Sequence, residues 1–174
     1  MKRNEGGFTL VELLVTLGIV SFLASMVLSF FIINFNNYVR INNDSKLQFQ
    51  TQYILNFVSN KIMESRNIEL IKKDTLSLIN SSDEYSISKI SFRYGDALNK
   101  CYIFEVRNNR IYYGNSYSSD SANVELGTYV SELKAVPYPE DITFAKADAL
   151  KITICLSNNG KVYEAEQIIY MRSN

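Results

Sequence analysis

Cys101 and Cys155 are the two cysteines of the 174-residue chain, and they stand 54 residues apart. Thiols of this kind could close a disulfide, stay reduced or hold a metal. The metal reading lacks support, because there is no CxxC pair and no histidine to complete a zinc site. The absence of histidine also removes Ser-His-Asp and Cys-His mechanisms and imidazole proton shuttles. Acidic pairs occur at Asp83-Glu84 and Glu140-Asp141, but carboxylates adjacent in sequence are usually solvated loop groups. The sequence therefore predicts a protein that is not an enzyme, with no catalytic residue, no cofactor and no metal. One carboxylate stands apart from this. Glu12 is the only charged side chain between Phe8 and Val39. A carboxylate inside an apolar run costs free energy and usually has a partner or a function. The plain alternative is that Glu12, near one end of the run, reaches back to water.

The element that must position Glu12 is a helix. Residues 8–33 form an apolar run of 26 residues, about 39 Å long at roughly 1.5 Å per residue against a bilayer core of about 30 Å. Lys2 and Arg3 precede it, and the next cation is Arg40. That asymmetry places the N-terminus in the cytoplasm and the remainder outside, as a single pass through the cytoplasmic membrane. A cleaved secretory signal is the competing reading. It would have an apolar region of about 7–15 residues closed by a small-x-small site, and Leu23-Ala24-Ser25 fits that site poorly. Over the whole chain 18 Lys and Arg balance 18 Asp and Glu, which argues against a nucleic-acid binder built on excess cations, so no direct nucleic-acid binding is predicted.

The segment Gly6-Gly7-Phe8-Thr9-Leu10-Val11-Glu12-Leu13-Leu14 resembles the class III signal of type IV pilins and type II secretion pseudopilins. The resemblance implies a leader of residues 1–7, cut after Gly7 on the cytoplasmic side by prepilin peptidase. It further implies N-methylation of the new first residue, Phe8. In this family the fifth residue after the cut is Glu, and here that residue is Glu12. The chemistry gives it a reason. Cleavage leaves a charged amine on Phe8, packing apolar helices side by side buries that amine, and a carboxylate on a neighbouring helix neutralises it. The resemblance thus implies an assembly charge pair between Glu12 of one subunit and Phe8 of another. The partners it implies are other pilins or pseudopilins, prepilin peptidase, a membrane assembly platform, and the membrane itself before assembly.

No proline occurs before Pro137 and no glycine between Gly18 and Gly95, so the helix can run past the apolar segment. Leu47, Ile54, Val58 and Ile62 recur at helical spacing, with Tyr53 and Phe57 alongside. The helix is predicted from about Phe8 to about Asn67, its half at residues 34–67 amphipathic. Many pilins carry a proline near the position of Ser29, and this chain does not. Asn34, Asn36, Asn37, Asn42 and Asn43 weaken helix propensity there instead.

From residue 68 to 174 the period becomes two. Ile90, Phe92 and Tyr94 alternate, as do Tyr102, Phe104 and Val106, and Leu150, Ile152, Ile154 and Leu156. Arg107-Asn108-Asn109-Arg110 and Asn158-Asn159-Gly160 read as hairpin turns, Asn115–Asn123 as a loop, and Pro137-Tyr138-Pro139 as a break. The predicted class is α+β, pilin-like: a long N-terminal helix, transmembrane then amphipathic, packed on an antiparallel β-sheet. The order of elements, with Gln50–Phe57 leading into Asn60–Ile68 and a closing hairpin, is similar to J-type pseudopilins and W-type minor pilins. Cys101 and Cys155 fall in two predicted strands. A bridge between them could contribute about 4 kcal/mol, and the alternative is two buried thiols acting as small apolar groups.

The function these features imply is a minor pilin or pseudopilin, a structural subunit of a type IV pilus or related secretion or DNA-uptake filament. A second reading is an adhesin or ligand-binding subunit carried on such a filament, with the tyrosine-rich segment Ile111–Tyr117 as its face.

Overall fold

The computed structural model describes residues 9–95, 100–116, 122–139 and 141–172. The chain divides into two compact units, residues 1–45 and 46–174. Helix α1, Leu10–Met63, contributes to both. It starts two residues after the predicted boundary and ends four before it.

In the first unit α1 is exposed throughout, from Thr9 to Asn43. Its polar side chains turn back onto their own backbone. Ser21 donates to the Leu17 carbonyl (2.7 Å), Ser25 to Phe22 (2.7 Å), Ser29 to Ser25 (2.9 Å) and Asn34 to Phe30 (2.7 Å). These bonds leave the hydroxyl donors satisfied without water, which is what an apolar surrounding demands.

Among the described residues the second unit holds ten strands: β1 (Asn67–Lys73), β2 (Leu76–Ser77), β3 (Tyr85–Ser86), β4 (Lys89–Arg93), β5 (Cys101–Arg107), β6 (Arg110–Ser116), β7 (Val124–Thr128), β8 (Val130–Tyr138), β9 (Ala149–Asn158) and β10 (Lys161–Tyr170). They form two antiparallel sheets in place of the single one expected, in the orders β2-β1-β4-β5-β6-β7 and β10-β9-β8-β3. Asn108 and Asn109 (φ 51° and 56°) turn β5 into β6, and Asn159 and Gly160 (φ 50° and 77°) turn β9 into β10. Two left-handed residues match the twist of the flanking strands, and Asn and Gly tolerate that conformation best.

Two sequence expectations change here. Asn67 opens β1 and does not extend the helix: the Ser65 amide bonds the Ile62 carbonyl, and the next amide, Arg66, crosses to the Arg93 carbonyl of β4. Pro137 lies inside β8 and does not end it. The Ile87 amide donates to the Leu133 carbonyl, so residues 133, 135 and 137 of β8 face the β3 side. β3 pairs only with Ala135 and Lys134. The donor that Pro137 lacks therefore points beyond the end of β3, where no ladder bond is lost.

One core joins the inner faces of both sheets to the face of α1 that carries Leu47, Ile54, Leu55, Val58 and Ile62. Phe57 is part of the seat, edge-on to Phe104 and Tyr113, whereas Tyr53 is exposed. The end of the helix is clamped by a polar cluster. The buried Tyr102 hydroxyl donates to Glu64 Oε2 at 2.7 Å, Lys61 Nζ meets the same oxygen at 2.8 Å, and Tyr94 stacks on Tyr102 at 4.0 Å. The bond from Lys61, then that from Tyr102, holds the Glu64 carboxyl below its ordinary range, and burial, reinforced by Glu64, raises the Tyr102 phenol. A depressed carboxyl adds stability above its unfolded pKa of about 4.3, and that contribution is lost as pH falls through the folded value. In detergent micelles the full chain should therefore melt less far above Glu64→Gln at about pH 3 than at about pH 6. Tyrosine near-UV circular dichroism reads the transition. A difference between the two proteins that does not change with pH would remove this linkage.

Candidate assembly site

The first turn of α1 is built on Thr9 and Glu12. The Glu12 carboxylate accepts the Thr9 amide (2.9 Å) and the Thr9 hydroxyl (2.9 Å) through Oε2, and the Glu12 amide donates back to Thr9 Oγ1 (3.3 Å). This reciprocal pattern is a capping box, with Thr9 at the N-cap and Glu12 three residues on. It satisfies two amides that helix geometry leaves without partners. A negative group in the first turn also meets the positive end of the helix dipole. The Glu12 carbonyl in turn accepts the Thr16 hydroxyl at 2.6 Å.

Glu12 is thus held by its own helix, with its side chain on an exposed surface. One carboxylate oxygen carries both bonds to Thr9; Oε1 has no partner among the described residues. A carboxylate in this state can accept a cation from outside its own helix. Thr9 is the residue that the reading of the sequence left out. The spacing Thr9-x-x-Glu12 was the signal for it. Gly7 and Phe8, the expected cleavage and methylation positions, lie outside the described residues.

The structure corrects the possible disulfide. Cys101 and Cys155 are both free and buried. Cys101 is on β5 and Cys155 on β9, in different sheets. In β5, Tyr102 and Phe104 enter the main core while Cys101 and Ile103 form a separate small cluster with Ala122. In β9, Ile154 and Leu156 enter the main core, so the alternating Cys155 faces the opposite way. The two thiols lie on the outer faces of two sheets with the core between them. Burial raises both thiols above their ordinary range, and the charges they feel differ: Glu69 and Arg93 at Cys101, chiefly Glu164 and Glu132 at Cys155.

The tyrosine-rich segment is mostly structural. Ile111 is buried, and Tyr113 packs against Phe57 and Phe104. Tyr112 lies under the Arg107 guanidinium at 4.2 Å. Tyr117 lies outside the described residues. Of the acidic pairs, Glu84 meets Lys134 at 3.7 Å and Asp83 accepts the Tyr85 hydroxyl. Glu140 is outside the described residues, and its neighbour Asp141 sits at φ 73°.

Residues 2–28 match the family model of the prokaryotic N-terminal methylation motif. The match covers Gly7, Phe8 and Glu12 together with most of the apolar run. α1 contains a stretch long and apolar enough to cross a membrane, none of it buried, and with the motif this fits anchoring in a membrane. No curated protein and no solved structure matches the chain.

Proposed function

We propose, from the methylation motif at residues 2–28, that the chain is a type IV pilin-like protein, a minor pilin or pseudopilin. Its role is structural: a subunit of a type IV pilus or related secretion or DNA-uptake filament, without catalytic activity of its own. Prepilin peptidase cuts after Gly7, Phe8 is methylated, and the subunit waits in the cytoplasmic membrane with its N-terminus inside. Assembly then packs α1 among the helices of other subunits at a membrane platform. Glu12 neutralises the Phe8 amine of a neighbour in that packing.

The observation that supports this best is the state of Glu12. It is the only charge in the run from Phe8 to Val39, and it is bonded to its own helix through a single oxygen. A carboxylate kept at that depth with capacity to spare suits a cationic partner on another helix, because an isolated ion there would be costly. The test is quantitative mass spectrometry of filaments sheared from cells that express the chain. The expected result is a first peptide beginning at N-methylated Phe8, at a small fraction of the major subunit. A chain that retains residues 1–7, or that is absent from filaments, would overturn the proposal.

A further inference from the structure

The four sheet edges among the described residues differ in how they are protected. An exposed strand edge is a row of unpaired backbone donors and acceptors, and proteins blunt such edges with short strands, proline, bulges or covering elements. β2 and β3 are two residues each. Beyond β3, the same edge of β8 carries Pro137. β7 has five residues and a bulge at Leu126, between the pairs Ile111↔Gly127 and Tyr112↔Glu125. β10 has none of these devices and is guarded along its length by charged side chains alone, Lys161, Glu164 and Glu166. It runs ten residues and pairs with β9 in one unbroken register.

The direction of its free groups follows from two bonds. The Met171 amide donates to the Asp148 carbonyl, on the β9 side, and the Arg172 amide donates to the Ser65 carbonyl, on the other. Odd residues of β10 therefore bond β9, and residues 162, 164, 166, 168 and 170 aim their amides and carbonyls away from it. No backbone partner meets these five among the described residues. Their side chains lie on the outer face: Val162, Ile168 and Tyr170 are 66%, 42% and 62% exposed, with Glu164 and Glu166 between them.

We propose that the free edge of β10 takes up an extended segment of another protein chain as an added strand. Main-chain bonds to residues 162–170 would supply the pairing, and the side chains beside the strand would set its choice. The occupant carries basic residues opposite Glu164 and Glu166 and apolar ones opposite Ile168 and Tyr170. The charges point to this partner over a second copy of the chain. In the central antiparallel register of two β10 edges, Glu166 would face Glu166, and like charges directly opposite are unfavourable. Glu164 has no ion-pair partner among the described residues, and Glu166 has only Lys151, at 2.8 Å. The surface around them adds Glu84 and Glu132 against Lys134.

The test uses the full chain in detergent micelles and two fluorescent ten-residue peptides. One copies residues 161–170; the other has lysine in place of both glutamates. The lysine peptide should bind at least tenfold tighter by anisotropy and should slow hydrogen exchange across residues 162–170. Glu166→Pro removes one edge-facing donor and no backbone bond to β9, losing only the exposed ion pair with Lys151 of that strand, so it should weaken binding at least tenfold with the tyrosine near-UV melting curve shifted little. The double variant Glu164→Lys, Glu166→Lys should reverse the preference between the peptides, which keeps the test decisive if the proline variant misfolds. Equal binding of both peptides, or no protection of the edge amides by either, would overturn the proposal. So would edge protection in the peptide-free chain that rises with its own concentration, because that identifies a second copy as the occupant.

Discussion

Glu12→Gln is expected to abolish incorporation into filaments while leaving cleavage after Gly7 intact. The glutamine keeps a carbonyl oxygen at the third helical position, and Gln serves in that position of a capping box as Glu does. The bonds to the Thr9 amide and hydroxyl, now at 2.9 Å each, can therefore persist in the variant. What is lost is the negative charge. Glu12→Ala loses the charge and the Glu12 half of the capping box together, while Thr9 Oγ1 still caps the amide of residue 12. The two variants separate the roles. Hydrogen exchange at the Thr9 amide should quicken in Glu12→Ala and stay near wild type in Glu12→Gln. Filament content, measured by mass spectrometry of sheared material, should be lost in both. Near-normal assembly of Glu12→Gln would mean that Glu12 serves only to start its helix, and the proposed contact with Phe8 of a neighbour would fall.

Gly127→Val should destabilise the second unit by about 3 kcal/mol, at the upper end of what overpacking a core usually costs. Gly127 lies on β7 where the strand passes under α1. A Cβ at that point would come to 2.6 Å from Ile54 Cδ1 and 2.8 Å from Gln50 Nε2. Contacts this close force something to move. Ile54 is fully buried, and Gln50 is engaged with Thr128 Oγ1 at 3.3 Å. The Ile54 and Gln50 side chains, or the helix that carries them, would have to give. Backbone conformation is not the issue, since the close approach alone calls for glycine. Gly127→Ala should show a smaller loss of the same sign. Urea unfolding followed by tyrosine near-UV circular dichroism measures both. A midpoint unchanged in Gly127→Val would show that the helix seat adjusts freely.

The hairpins were legible because their signals are local. Asn108-Asn109 and Asn159-Gly160 adopt the left-handed turns their side chains suit, and the alternating runs beside them became β5, β6, β9 and β10. The seat of α1 was legible for the same reason: Leu47, Ile54, Val58 and Ile62 share one stripe by periodicity alone. β7 and β8 were missed because tertiary pairing outweighs their composition. Gly127 weakens a strand in isolation yet is required where helix and strand nearly touch, and Pro137 is tolerated only because β3 stops short of it. The cysteines were ambiguous for a related reason. Alternation assigns each to one face of its own strand, but which sheet holds that strand depends on pairing between distant residues. At the candidate site Glu12 was readable from its isolation, whereas Thr9 was missed although the Thr9-x-x-Glu12 spacing carried its signal. The opposing amine, on Phe8 of a neighbour, is implied by the family resemblance alone.

The bond from the Arg172 amide to the Ser65 carbonyl, 2.7 Å long, sets an order of events. Most strands pair with a neighbour close in sequence, so the β4–β7 and β8–β10 ribbons can form as they emerge, with short loops to close. The end of the helix is different. Its partner lies more than a hundred residues downstream, and so does the Gln167 side chain that accepts the Ser59 hydroxyl at 3.0 Å. For a chain threaded outward from its N-terminus, the helix would meet its earliest strands promptly, yet could not complete its seat until residue 172 had followed. The last contact to form is then a closure across the whole length of the domain, and a chain halted short of residue 172 would present a helix with its final turn still undocked.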